Sequence, residues 1–252
     1  MYLYLYDSLL KERQYTAALS NLETQLLDLG ISGKIVRLTS LLSPRQIIQE
    51  EIRRSKDLKT VIVVGDDTVF TKIVQYAADL PVTFGWVPIG PKTELATRFG
   101  LPYGAACAPI LSRRRLMSVD VGQFNQYFFI DYCTVPLCHV TMVIDNTITI
   151  SATEEKMSCH VWNMASPKKG EMPPGYTPMP DDGQLEIVLQ PIAKKSFFGS
   201  TIAPASIFPF TEVKMKLEKT TPIEIDGHTV KENQITLRVS PQPLKLIVGK
   251  AV

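Results

Sequence analysis

The stretch TVIVVGDDTVF, residues 60–70, decides how this chain is to be read. Val61 to Val64 form a short β-branched run with no polar alternation, which predicts a strand buried on both faces. The residues after Thr68 read as a helix that carries Ile73, Val74 and Ala77 on its apolar side. Asp66 and Asp67 therefore occupy a strand-to-helix turn, where open α/β sheets place their ligands. One acid suffices to cap the helix. A second beside it points to work on a phosphate, a metal ion or a proton.

Outward from this turn, the first hundred residues alternate between the two periods. LYLY (3–6) precedes a helical pattern of Tyr15, Ala18, Leu22, Leu26 and Leu29 that stops at Gly30, a C-cap signal. KIVRL (34–38) is a second strand, and Ser43-Pro44 is a cap and first-turn signal for a helix through Ile47, Ile48 and Ile52. VTFGWVPI (82–89) is a fourth strand after TVIVV, and TELATRFG (93–100) is a short helix closed by Gly100. This alternation predicts a doubly wound, mostly parallel α/β domain over residues 1–104.

Beyond that point the period becomes two. TMVIDNTITI, QLEIVLQPI, EVKMKLEKTTPIEIDGHTV and ITLRVS predict an antiparallel β-sandwich or barrel-like domain over 105–240, with Val213, Met215 and Leu217 on one face and Lys214, Lys216 and Glu218 on the other. The last segment, 241–252, is read as returning to the first domain. Asn163–Gly183, rich in Pro and Gly, reads as a long surface loop of functional or disordered character.

The 252 residues are 45% hydrophobic and 21% charged with a net charge of +2, which fits a globular protein and calls for no nucleic acid. No apolar run approaches the roughly 20 residues that span a bilayer, and no signal peptide is visible, so the expected location is cytoplasmic, with membrane contact at most peripheral. Cys107, Cys133, Cys138 and Cys159 read as buried thiols. Strand neighbours such as Cys138 and His139, or Cys159 and His160, point to opposite faces and cannot share a zinc ion. Arg113, Arg114 and Arg115 form the densest basic run, a solvated turn or a contact for anionic headgroups.

A second candidate loop, PIGPKTELATRFGLP (88–102), follows the fourth strand, and the sheet order would bring it beside the first. Gly90 permits close backbone approach, Lys92 brings positive charge, and Thr93 with Glu94 reads as a cap and first helical turn. GWVPIGPKT (85–93) approaches a phosphate loop but carries Pro91 as an extra residue, and the match is assigned to chance. Asp226-Gly227 and Asp145-Asn146 are hairpin-turn signals, and Asp181-Asp182 is a turn signal.

Five segments in order, VVGDDT, PIGPKTELATRFGLP, SVDVGQFNQYFF, DDGQLEIVL and IDGHTV, resemble the diacylglycerol kinase catalytic domain and related bacterial lipid kinases, which share the NAD kinase-like fold. That family carries G-G-D-G-T, P-x-G-T-x-N-D-x-A-R, D-x-G-x-x-N, D-G-x-L-D and D-G-E in these places. The resemblance implies ATP and Mg²⁺ as cofactors and a lipid or other hydroxyl-bearing small molecule as acceptor. It implies nucleotide contacts from Gly65, Asp66, Asp67, Thr68, Gly90, Lys92, Thr93 and Glu94, metal contacts from Asp66, Glu94 and Asp182, and catalytic roles for Asp66 and, as the base, Asp226. Asp120, Gly122 and Asn125 match the third element.

Departures accompany the matches. Asp67 stands where the family has glycine, Pro91-Lys92-Thr93 replace T-G-N, His228 replaces an acid, and YLYDSLLKE stands in place of an N-P-x-S-G loop, leaving Asp7 and Ser8 as its polar groups. Two readings follow: an ATP-dependent lipid kinase, or a catalytically inactive relative that still binds nucleotide or lipid. The lipid-kinase-like second half speaks against the NAD kinase type. The sequence leaves the oligomeric state open, a homodimer included.

Overall fold

The computed structural model describes residues 1–39, 41–55, 57–164, 179–191, 194–196, 199–201 and 205–249. Most of the predicted Asn163–Gly183 loop lies outside them. The chain divides into two compact units, Met1–Val119 with Leu244–Val252, and Asp120–Pro243.

The first unit is built on a six-stranded sheet of β1 (Tyr2–Tyr6), β2 (Lys34–Arg37), β3 (Thr60–Gly65), β4 (Thr83–Pro88), β5 (Leu116–Val119) and the chain's last strand, β16 (Leu244–Ile247). Their order is β2-β1-β3-β4-β16-β5, and every neighbouring pair is parallel except β16 with β5. Between the strands run α1 (Thr16–Asp28), α2 (Pro44–Arg54), α3 (Asp67–Ala77), α4 (Glu94–Arg98) and α5 (Ala108–Arg113). All six residues of β3 and of β4 are buried, as a strand covered on both faces requires. The caps act as the sequence predicts: Gly30 and Gly100 take φ of 65° and 66°, and Ser43 Oγ accepts from the amide of Gln46 with Pro44 in the first turn.

The second unit holds β6 (Gly122–Phe124), β7 (Tyr127–Phe129), β8 (Tyr132–Ile144), β9 (Ile148–Trp162), β10 (Leu185–Pro191), β11 (Lys194–Ser196), β12 (Gly199–Thr201), β13 (Ser206–Phe210), β14 (Glu212–Ile225) and β15 (His228–Val239). Eight of them form one antiparallel sheet in the order β13-β10-β9-β8-β14-β15-β6-β7, and β11 pairs with β12. Val213, Met215 and Leu217 are buried while Lys214, Lys216 and Glu218 are exposed, so the period-two pattern sets the faces. The α/β plus antiparallel-β class is as expected, and eight strands of the second unit form one continuous sheet over a large buried cluster. Phe210 of β13 and Phe124 and Phe129 near the other end belong to one buried cluster. Register shifts between Lys216 and Thr221 and between Val135 and Cys138 give the long strands the irregularity that bends a sheet.

The boundary falls at Val119 instead of 104, because β5 pairs with β16 in the first sheet. Among the described residues no helix is long and apolar enough to cross a membrane.

Candidate functional site

Strands β1, β3 and β4 lie side by side in parallel, so the loops at their C-terminal ends gather along one edge of the first sheet. The β3–α3 and β4–α4 loops are joined by hydrogen bonds. The amide of Ile89 donates to the Gly65 carbonyl at 3.1 Å, and that of Asp67 donates to the Lys92 carbonyl at 2.8 Å. Trp86 lies beneath the turn, where its indole N–H donates to the same Gly65 carbonyl at 3.0 Å and its ring stacks on Phe70 with centroids 4.1 Å apart. Sequence reasoning missed this brace, because Trp86 beside Phe84 in a buried strand reads as ordinary core.

Each acid of the turn has a distinct task. Asp66 is the N-cap of α3, its Oδ1 accepting from the Val69 amide at 3.2 Å. Asp67 reaches across to the next helix, its Oδ2 accepting from Leu95 at 2.9 Å and its Oδ1 from Ala96 at 3.3 Å. The starts of α3 and α4 are thus both occupied by carboxylates of the chain itself. Burial raises both acids above the ordinary carboxylate range, against the lowering effect of these amides. Gly90 is held at φ 141° with its α-carbon pressed on Asp66, and an added Cβ would lie 2.7 Å from Asp66 Cβ. Only glycine fits there without strain.

The remaining predicted residues are more loosely held. Thr68, Lys92 and Glu94 are exposed, and Thr93 is half-buried. Among the described residues no group of three Asp, Glu, His or Cys side chains comes together as a metal site. Asp182 is an exposed turn residue of the second unit whose Oδ1 accepts from the Gln184 amide at 3.0 Å.

Asp226 belongs to the second unit. It sits at φ 46° in the β14–β15 turn, and its carboxylate accepts the amides of Ile130, Asp131 and Tyr132 at 2.8, 3.0 and 2.9 Å. Burial nevertheless pushes its pKa up to about 7. The third motif is equally occupied. Asp120 accepts the Gly183 amide at 2.7 Å, Gly122 lies under the Phe129 ring, and Asn125 bonds the backbone of Gln234 and Thr236 through its side chain.

A cavity of about 400 Å³ opens beside the turn, within the range of small-ligand sites. Val69, Lys72, Ile73 and Tyr76 of α3 line it at spacings of three and four, one face of the helix. Pro44 faces them from α2, with Asp7 and Ser8 after β1 and Thr39 after β2 supplying polar groups. Arg45 ties the two helices together, donating to the Tyr76 carbonyl at 2.8 Å and to Asp79 at 2.9 Å, which holds the Asp79 carboxyl below its usual range. Asp7 and Ser8 were legible as polar groups in the sequence. The α3 stripe was not, because a lysine among apolar positions reads as a solvated edge.

No protein-family model matches the sequence, and no curated protein matches it. Solved structures do match in shape. A diacylglycerol kinase from Bacillus anthracis str. Sterne is 17% identical, with 100% of this chain and 97% of that one covered at a TM-score of 0.73. A provisionally named diacylglycerol kinase of the same organism is 14% identical, with 98% and 97% covered at 0.76. The chain has the fold of these proteins across its whole length.

Proposed function

We propose that this chain is a lipid-kinase-like protein that binds a nucleotide through its base and sugar and has given up metal-dependent phosphoryl transfer. The fold likeness and the cavity beside the β3–α3 turn support a nucleotide ligand. Tyr76, Ile73 and Pro44 offer a flat apolar end suited to a base, and Lys72 offers a cation along the way.

The observation that carries the loss of transfer is the Asp67 carboxylate on the amides of Leu95 and Ala96. Phosphoryl transfer depends on backbone amides and a cation that cradle the phosphates. Here an acid of the chain fills that cradle, and its charge repels a phosphate. Magnesium fits poorly too: both oxygens of Asp67 and Oδ1 of Asp66 accept amides, and Glu94 stands exposed.

The test is a thermal-shift series with adenosine, ADP and ATP, each with and without magnesium, beside labelled-ATP transfer to diacylglycerol, a sphingoid base and NAD. The expected result is stabilisation by all three nucleotides to similar extent, independent of magnesium, with no transfer. A second reading, an ATP-dependent lipid kinase, is favoured by the tight Gly90–Asp66 contact, which keeps two family positions in register. Label transfer that disappears in Asp66→Asn would establish it in place of the first.

A further inference from the structure

We infer that Asp7 is the specificity-determining residue of the first unit's cavity and that it takes a vicinal diol, the ribose of a ribonucleoside; this rests on the nucleotide reading above. Asp7 continues the β1 ladder, its amide donating to the Val64 carbonyl at 2.9 Å, which fixes it at the cavity's end beside the β3–α3 turn. Only 7% of its surface is exposed. Oδ1 accepts from the Leu9 amide at 3.2 Å and the Ser8 hydroxyl at 3.3 Å, whereas Oδ2 makes no hydrogen bond among the described residues. With Oδ2 reached by solvent at the cavity wall, this carboxylate can accept a ligand's donors in place of water.

Charge narrows the choice. Asp66 lies next to Asp7 and the two repel, so a phosphate is the wrong group for this end. A diol donates two neutral O–H groups to one carboxylate, as an acid at a strand's C-terminal end does in dinucleotide-binding sheets. The cavity runs along α3 from Val69 beside the acid to Tyr76 beside Pro44, about 10 Å at 1.5 Å per residue. Sugar at Asp7 and base at Tyr76 follow from that polarity.

Isothermal titration with adenosine, 2′,3′-dideoxyadenosine and 1-monoacylglycerol tests this on the wild type and on Asp7→Asn. Asparagine keeps an oxygen for the Leu9 amide, and the ratio of adenosine to dideoxyadenosine affinity is internal to each variant. Adenosine should bind roughly tenfold or more tightly than the dideoxy form, the size of one hydrogen bond to a charged group, and Asp7→Asn should bring the ratio close to one. Equal affinities in the wild type would overturn the inference and leave nucleotide binding standing. Binding of monoacylglycerol but not adenosine would keep the diol and overturn the nucleotide. Binding of none of the three would overturn both.

Discussion

In the antiparallel unit the carboxylate of Asp226 accepts three amides from a single neighbouring turn, whereas in the α/β unit Asp66 and Asp67 divide the starts of two helices between them and Asp7 keeps an oxygen uncommitted. Each of these acids stands in or beside a segment that a kinase-like motif would assign to chemistry. Their hydrogen bonds sort them differently. An acid with both oxygens bound to amides acts as a strut, and one with an oxygen left over in a cavity is available to a ligand. On the function proposed above, Asp226 and Asp67 serve the fold and Asp7 serves recognition.

The sharpest way to break this division is Asp226→Ala. Three amides would lose their acceptor in a buried setting, and urea unfolding should show a loss of about 4 kcal/mol. A variant of near-wild-type stability would end its role as a strut.

The same residue predicts a pH dependence. Its pKa rises from 3.8 to about 7 on folding, so the native state holds a proton that the unfolded chain has released between those values. The contribution of Asp226 should be greatest below pH 4, fall as pH rises towards 7 and level off above, by at most about 4 kcal/mol at about 1.4 kcal/mol per pH unit. Asp226→Asn should flatten that slope in unfolding curves recorded from pH 4 to 8.

Gly90→Ala comes next. The φ of 141° and the approach to Asp66 should cost about 2 kcal/mol in thermal or urea unfolding, and because the strain falls on Asp66 it should also loosen the α3 cap. A neutral substitution would mean that the two loops are not tightly joined. The smallest change in stability is expected for Asp67→Gly, about 1 kcal/mol for a lost helix cap. Its effect on binding is the informative one. By freeing the amides of Leu95 and Ala96 it should turn equal affinity for adenosine and ATP into a preference for ATP, read by isothermal titration with each of the two.

Much of the fold is legible locally. Ser43-Pro44, Gly30 and Gly100 mark helix ends because capping is a matter of a few neighbouring residues, and Asp226-Gly227 and Asp145-Asn146 mark hairpins for the same reason. The tasks of the acids are not legible that way. Asp67 finds its partners 28 and 29 positions along the chain, and Asp226 finds its own some 95 positions back. No motif encodes a hydrogen bond over that separation. Similarly, the alternating pattern marks the second unit's strands but not the register shifts within them, which depend on pairing between distant segments.

The position of β16 constrains the order in which the molecule can be completed. This strand lies between β4 and β5, yet it is made after all of the second unit. A nascent chain halted anywhere before Leu244 leaves the rim of β4 bare, with its backbone groups open to any passing strand. The first sheet can therefore be completed only once the whole of the second unit has been synthesised, by a strand of four residues.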